Sequence, residues 1–263
     1  MSILKNIVID IKKELRLKKS IIPISEYEKM SLFKRNTISM SDSIKKDNFG
    51  IIAEFKRRSP SKNEINNKLS VNDVCRNYQV FGASGLSVLT NLKYFGGSLE
   101  DLVLARSTCN LPILRKDFII DEYQIYEAKA YGADIILLIS SILTRDEIVN
   151  LSNKAKGLKL EVLLEVHNTD ELKKGLVENV DIIGVNNRNL KSFKTDLKIS
   201  EKLFNEIPNE FLKISESGLN NDNSIKKLKK IGYQGFLIGE KFMASNDPGK
   251  ELKKTLENLT YEN

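Results

Sequence analysis

Eight apolar runs of strand length, alternating with helical segments, constrain this chain more than any other feature. They lie at 51–55, 85–89, 112–114, 134–139, 160–166, 181–185, 211–214 and 235–238, and begin about 20 to 35 residues apart. The segments between them carry helix-start signals. Ser70 precedes Val71-Asn72-Asp73, Asp121 opens a segment over 123–131, Thr144-Arg145-Asp146-Glu147 is a capping box, and Asn168 has Glu171 three places on. Three segments end alike, at Phe81-Gly82-Ala83, Tyr131-Gly132-Ala133 and Ile231-Gly232-Tyr233, where glycine suits a left-handed residue just past a helix. The last helix opens at Asp247-Pro248 and carries Leu252, Leu256 and Leu259. Strands alternating with helices predict a parallel sheet. Eight such units in about 200 residues predict an α/β fold of the (β/α)8 TIM-barrel type. An open doubly wound sheet is the alternative. No Gly-x-Gly-x-x-Gly follows the first run and no Gly-Lys-Ser/Thr loop occurs, so the barrel is preferred.

Before the first run, Ile3, Ile7, Ile11 and Leu15 recur every four residues, which predicts an amphipathic helix over 2–18 with Lys and Arg on its other face. Residues 19–47 are mixed and polar, broken at Pro23, and read as a second short helix and a connection. The expected organisation is one barrel domain over 1–263, with 1–47 as an N-terminal helical extension and no fused second catalytic domain. A chain of 263 residues that is 41% hydrophobic can bury a core of that size.

The first run ends in Glu54-Phe55-Lys56-Arg57-Arg58-Ser59-Pro60-Ser61. Alternate residues of a strand share a face, so Glu54 and Lys56 point with Ile52 into whatever the strand encloses. Two readings stay open for this stretch alone: a strand end running into a solvated basic loop, or an ionisable pair tuned in a pocket. In a barrel, the C-terminal strand ends converge on one mouth. Those ends bring Glu54 and Lys56, Lys116, Glu165, Asn186-Asn187-Arg188, Glu216-Ser217-Gly218 and Gly239-Glu240. The opposite strand ends show no comparable set. Two lysines and two or three carboxylates in one mouth permit acid and base roles without metal or cofactor; a neighbouring cation lowers a lysine's proton affinity and a carboxylate restores it. Glycine beside Ser217 and at Gly239 lets backbone N–H groups approach a phosphate, from which the Glu240 side chain should turn away.

These stretches resemble the indole-3-glycerol-phosphate synthase family. The resemblance rests on Ile52-Ala53-Glu54-Phe55-Lys56-Arg57-Arg58-Ser59-Pro60-Ser61, Ser87-Val88-Leu89-Thr90, Leu114-Arg115-Lys116-Asp117-Phe118-Ile119 and Leu164-Glu165-Val166-His167. It continues with Gly184-Val185-Asn186-Asn187-Arg188-Asn189-Leu190, Ser215-Glu216-Ser217-Gly218 and Leu237-Ile238-Gly239-Glu240, in the family's order across 51–240. It implies a carboxy-lyase of tryptophan biosynthesis that converts 1-(2-carboxyphenylamino)-1-deoxyribulose 5-phosphate to indole-3-glycerol phosphate, CO2 and water, with no cofactor and no metal. It further implies Lys116 as the general acid of ring closure, Glu165 as the acid/base group of dehydration, and Lys56 as the lysine near the substrate carboxylate and a second proton donor. Glu54 and Asn186 would hold these groups in place. Phe95 and Phe118 match aromatic positions beside the anthranilate ring. Ser59, Leu137, Arg188, Glu216, Ser217, Gly218, Gly239 and Glu240 are the expected substrate and phosphate contacts. Two positions depart from the family's pattern: Asn91 stands where an acid follows Ser-Val-Leu-Thr, and Asn63 where a glycine follows Ser-Pro-Ser-Lys.

Composition limits the other classes. Lys plus Arg number 42 against 35 Asp plus Glu, a formal net charge of +7 spread along the chain. This suits an anionic metabolite, and no nucleic-acid motif accompanies it. A sugar-phosphate isomerase would call for an Asp or Cys acid/base pair at the mouth, whereas Cys75 and Cys109 lie away from the strand ends. One histidine, His167, and two scattered cysteines argue against zinc. Strand alternation is taken to turn His167 outward, without a catalytic role. Arg57, Arg58 and Ser61 read as a solvated, mobile segment. With no signal peptide and no long apolar run, the expected protein is cytoplasmic, monomeric, and without membrane or nucleic-acid partners.

Overall fold

The computed structural model describes residues 3–189 and 192–260. Ser2, where the first helix was expected to begin, and the motif residue Leu190 lie outside the described residues. The apolar runs form parallel strands β1 (Ile51–Phe55), β2 (Gly85–Leu89), β3 (Ile113–Lys116), β4 (Ile135–Ile139), β5 (Glu161–Val166), β6 (Ile182–Asn186), β7 (Leu212–Glu216) and β8 (Gly235–Ile238). They pair in sequence order, and β8 returns to β1 through Ile52↔Leu237, so the sheet closes. Closure excludes the open doubly wound alternative. Three strands run past their last apolar side chain because the backbone ladder continues, as in Leu89↔Lys116 and Asn186↔Glu216. Lys116, Asn186 and Glu216 therefore sit on the rigid sheet rather than on loops.

Side-chain alternation separates two cores. Ile51, Ala53 and Phe55 face the helices, while Ile52 faces the barrel interior with Leu114, Leu163 and Ile214. The helices before the barrel are α1 (Ile3–Ile21), α2 (Ile24–Lys29) and α3 (Met40–Lys46). Those packed around it are α4 (Val71–Val80), α5 (Leu92–Phe95), α6 (Leu99–Thr108), α7 (Glu122–Ala130), α8 (Arg145–Gly157) and α9 (Thr169–Gly175). The series ends with α10 (Lys198–Leu203), α11 (Asp222–Ile231), α12 (Glu240–Met243) and α13 (Pro248–Thr260). Ser70, Asp121, Thr144 and Asn168 cap α4, α7, α8 and α9. Gly82, Gly132 and Gly232 take φ of 92°, 92° and 122° just past their helices. Helix α1 buries Ile7, Ile11 and Leu15 against Tyr27 and Tyr123. Each fully buried aliphatic side chain contributes about 1.5–3 kcal/mol, enough to hold the extension on the barrel.

The floor of the barrel corrects the expectation that its strand starts carry no polar set. Met40 and Ile44 of α3 plug the interior, and Gly85 leaves the room, since a Cβ there would lie 2.3 Å from the Met40 sulfur. The Glu161 carboxylate accepts Met40 N–H at 2.8 Å and Ser41 N–H at 3.1 Å at the start of that helix. Asp134 accepts from Arg35 at 2.7 Å, Arg106 at 2.9 Å, and the N–H groups of Ile38 and Ile113. Lys156 pairs with Asp181 at 2.6 Å. No described helix is long and apolar enough to cross a membrane.

Candidate active site

The mouth begins with β1. Lys56 Nζ lies 2.8 Å from Glu54 Oε1, and Ser87 of β2 donates to Glu54 Oε2 at 3.1 Å. Gly239 makes this possible. A Cβ at that position would come within 2.6 Å of Glu54 Oε1 and 2.9 Å of Glu54 Cβ.

On the other side, Lys116 of β3 donates to Glu165 of β5 at 3.0 Å and to Glu216 of β7 at 2.5 Å. Gly184 of β6 leaves space for Glu216, whose Oε1 would lie 2.3 Å from a Cβ there. One lysine thus serves two buried carboxylates, and their proton affinities separate. Burial opposes ionisation of Glu165, but the Lys116 and His167 charges and hydrogen bonds from Lys116 and Asn186 outweigh it and hold its pKa below the usual range. Burial dominates at Glu216, and the neighbouring Glu165 and Glu54 charges add to it against Lys116. Its pKa is pushed up to about 7. Glu216 Oε1 is buried without a hydrogen-bond partner among the described residues. Lys116 itself departs from expectation. Burial disfavours its charge, yet Glu216, Glu165 and Glu54 more than offset this and raise its pKa above the ordinary lysine value.

An apolar wall faces these groups. Phe95, the last residue of α5, and Phe118 have ring centroids 6.1 Å apart, and Leu137 of β4 and Ile7 of α1 join them. Beyond β7, Ser217 and Gly218 are consecutive residues of positive φ, 65° and 76°. Such a backbone turn can gather N–H groups into an anion-binding concavity, and left-handed φ at a serine is strained backbone held by its surroundings. At the rim, Arg188 reaches Phe193 O at 3.1 Å and Glu240 at 3.4 Å, and Lys62 lies 3.8 Å from Glu240. Glu240 is thereby drawn towards the rim cations. Ser59 sits in the loop after β1, with Oγ 3.1 Å from Ser61 Oγ. All fifteen candidate residues from the sequence line one cleft of about 170 Å³. A wider cleft of about 490 Å³ beneath α1 is bordered by Lys18, Arg115, Asp117 and Glu127, which pair with one another.

Two sequence expectations change. His167 does not turn outward: it lies two residues from Glu165, hence on the same face, and its Nε2 is 3.5 Å from Glu165 Oε1. Arg57 is half-buried and tied down: it grips Asp101 with two nitrogens at 2.5 and 2.8 Å, and Arg58 donates to the Leu92 and Lys93 carbonyls. Asn91 caps α5 by accepting from the Tyr94 N–H, a role an acid would also fill. Ser87 and Gly184 were missed as supports of the carboxylates. Their inward strand positions beside Glu54 and Glu216 were the available signal.

Comparison with known proteins agrees with the motif reading. The family model described as indole-3-glycerol phosphate synthase matches residues 4–255. The indole-3-glycerol phosphate synthase of Bacteroides thetaiotaomicron is 42% identical over 254 residues, covering 97% of each chain. That of Campylobacter jejuni is 46% identical over 206 residues, 78% of this chain and 80% of its own. Among solved structures, 3-hexulose-6-phosphate synthase from Salmonella typhimurium has a TM-score of 0.62 at 11% identity, covering 80% of this chain and 100% of its own. Thiamine phosphate pyrophosphorylase from Pyrococcus furiosus has 0.58 at 17%, covering 81% and 98%. Identities that low show the common barrel fold alone. The family match over nearly the whole chain is decisive: the chain belongs to the indole-3-glycerol phosphate synthase family, carboxy-lyases of tryptophan biosynthesis.

Proposed function

We propose that this cleft carries out the family's reaction on 1-(2-carboxyphenylamino)-1-deoxyribulose 5-phosphate, with Lys116, Glu165 and Lys56 as its acid–base groups. Lys116 protonates the substrate carbonyl oxygen as the aryl carbon attacks the carbonyl carbon. Loss of CO2 restores aromaticity, and Glu165 handles the proton of the dehydration. Lys56, held by Glu54, faces the substrate carboxylate and donates the second proton. Asn186 orients Glu165. The single observation that carries this reading is Lys116 between two carboxylates of opposed proton affinity. Groups whose surroundings push their pKa values apart are suited to divide acid and base duties. Protonation of Glu216 would remove one of the carboxylates that hold the Lys116 proton, which makes Lys116 a better donor.

The apolar wall of Phe95, Phe118 and Leu137 suits the anthranilate ring. Ser217, Gly218 and Gly239 suit the phosphate, with Ser59, Arg188, Glu216 and Glu240 around it. Both ends held together give the ring closure its geometry. The reading goes with one monomeric barrel domain over 1–263, residues 1–47 its extension, acting on a small anionic substrate in the cytoplasm. The test mixes purified protein with the substrate and follows indole fluorescence. A rise that Lys116→Ala eliminates supports the reading; a Lys116→Ala variant with full turnover overturns it.

A further inference from the structure

His167 is the one histidine of the chain, and the scheme above does not use it. Its ring is fixed at one end. Nδ1 lies 3.0 Å from Glu171 Oε2, an oxygen that also accepts the His167 backbone N–H at 2.9 Å. Asn168 holds the other Glu171 oxygen at 2.9 Å. At its far end, Nε2 is buried, has no hydrogen-bond partner among the described residues, and lies 3.5 Å from Glu165 Oε1. Glu165 Oε2 is the oxygen that takes Lys116. The two oxygens of Glu165 therefore lie beside two different basic side chains.

We infer that His167 is a positioning residue: clamped by Glu171, it directs Nε2–H at Glu165 Oε1, orients that carboxylate and keeps it ionised. The inference rests on the reading of Glu165 as the acid/base group. The charged and titratable groups around the pair are Glu171 from α9, Lys116 from β3 and Glu216 from β7, with Asn186 of β6 as a neutral donor. Burial works against a charged ring, but the Glu171 hydrogen bond and the Glu165, Glu171 and Glu216 charges outweigh it, so His167 is held above its ordinary value. A cation beside a carboxylate favours the charged form of both. The coupling is mutual: what His167 does to Glu165, Glu165 does to His167. A histidine that only filled space behind β5 and braced α9 would show no such link.

A lone histidine gives a single imidazole Hε1 resonance, so its titration can be followed by NMR without ambiguity of residue. The wild-type midpoint is expected above the ordinary 6.5, and Glu165→Gln and Glu171→Gln should each lower it. In His167→Asn, which can keep the hydrogen bond to Glu171 but carries no charge, the acid limb of kcat should move up by about one pH unit while KM stays within about twofold. An unchanged midpoint in Glu165→Gln, or an unchanged acid limb in His167→Asn, overturns the inference. The NMR arm needs no turnover, so it decides the matter even if His167→Asn does not fold. Full turnover by Glu165→Gln would instead overturn the catalytic assignment of Glu165.

Discussion

The two ends of the barrel both bury ionic groups, yet they treat them differently. At the floor, each Asp134 oxygen receives one guanidinium and one backbone N–H, and Glu161 is filled by Ser39 and the first N–H groups of α3. At the mouth, Glu54, Glu165 and Glu216 face Lys56 and Lys116, and Glu216 Oε1 is left without a hydrogen bond among the described residues. A carboxylate whose oxygens are all taken by partners of the fold serves the fold. One short of partners has a proton affinity that a substrate can move, which is what acid–base chemistry needs. Glu216, at the mouth, is buried and has its pKa pushed up to about 7.

The largest expected effect breaks the mouth alone. Lys116→Ala should lower turnover by about 10²–10⁴-fold, the usual contribution of a positioned general acid. Its melting temperature should stay close to wild type, because Glu165 and Glu216 can share a proton once the lysine is gone. Thermal unfolding followed by circular dichroism, beside the fluorescence assay, checks both parts. Asp134→Ala is the mirror experiment. It strands Arg35 and Arg106 without their acid, and breaking a buried pair costs about 3–5 kcal/mol. Urea denaturation should show that loss while kcat of the folded fraction remains near wild type. A large fall in kcat would mean the floor is coupled to the chemistry.

Glu216 sharpens the comparison through pH. Its folded-state pKa, about 7, lies above the ordinary 4.5. Between those values the folded state holds more protons than the unfolded one, so stability falls as pH rises through this window. Glu216→Gln removes that slope. The variant should gain on wild type by roughly 2 kcal/mol between pH 4.5 and pH 7, read from denaturation midpoints across the range. A constant difference across pH would show that Glu216 keeps an ordinary proton affinity.

Much of the mouth was legible because an apolar run that stops at an ionisable residue marks a strand end, and a barrel gathers those ends. The floor was not. Met40 and Ile44 are two apolar residues in a polar stretch, too few for a period, and their partners are strands that follow in sequence. Asp134 and Asp181 open their apolar runs, where a single acid gives no sign of a buried partner; their arginines and lysine lie 25 to 99 residues away. His167 was legible in principle, since a residue two places from Glu165 in an extended strand shares its face. Arg57 was not legible, because its partner lies 44 residues on.

Arg57 gives the smallest effect and tests how far the mouth depends on its loop. Its guanidinium stacks 4.8 Å from the Phe55 ring, donates to Gly96 O at 3.0 Å and grips Asp101. Asp101 also closes the capping box of α6 with Ser98. One side chain therefore ties the loop bearing Lys56 and Ser59 to the segment bearing Phe95. A partly buried, forked pair of this kind contributes about 1–2 kcal/mol. Arg57→Ala should raise KM several-fold with a smaller change in kcat, because it loosens the walls without removing a proton donor. Arg57→Lys keeps the charge but not the fork, so it should fall between the two. If kcat fell as far as in Lys116→Ala, Arg57 would belong to the chemistry rather than to the frame that holds it.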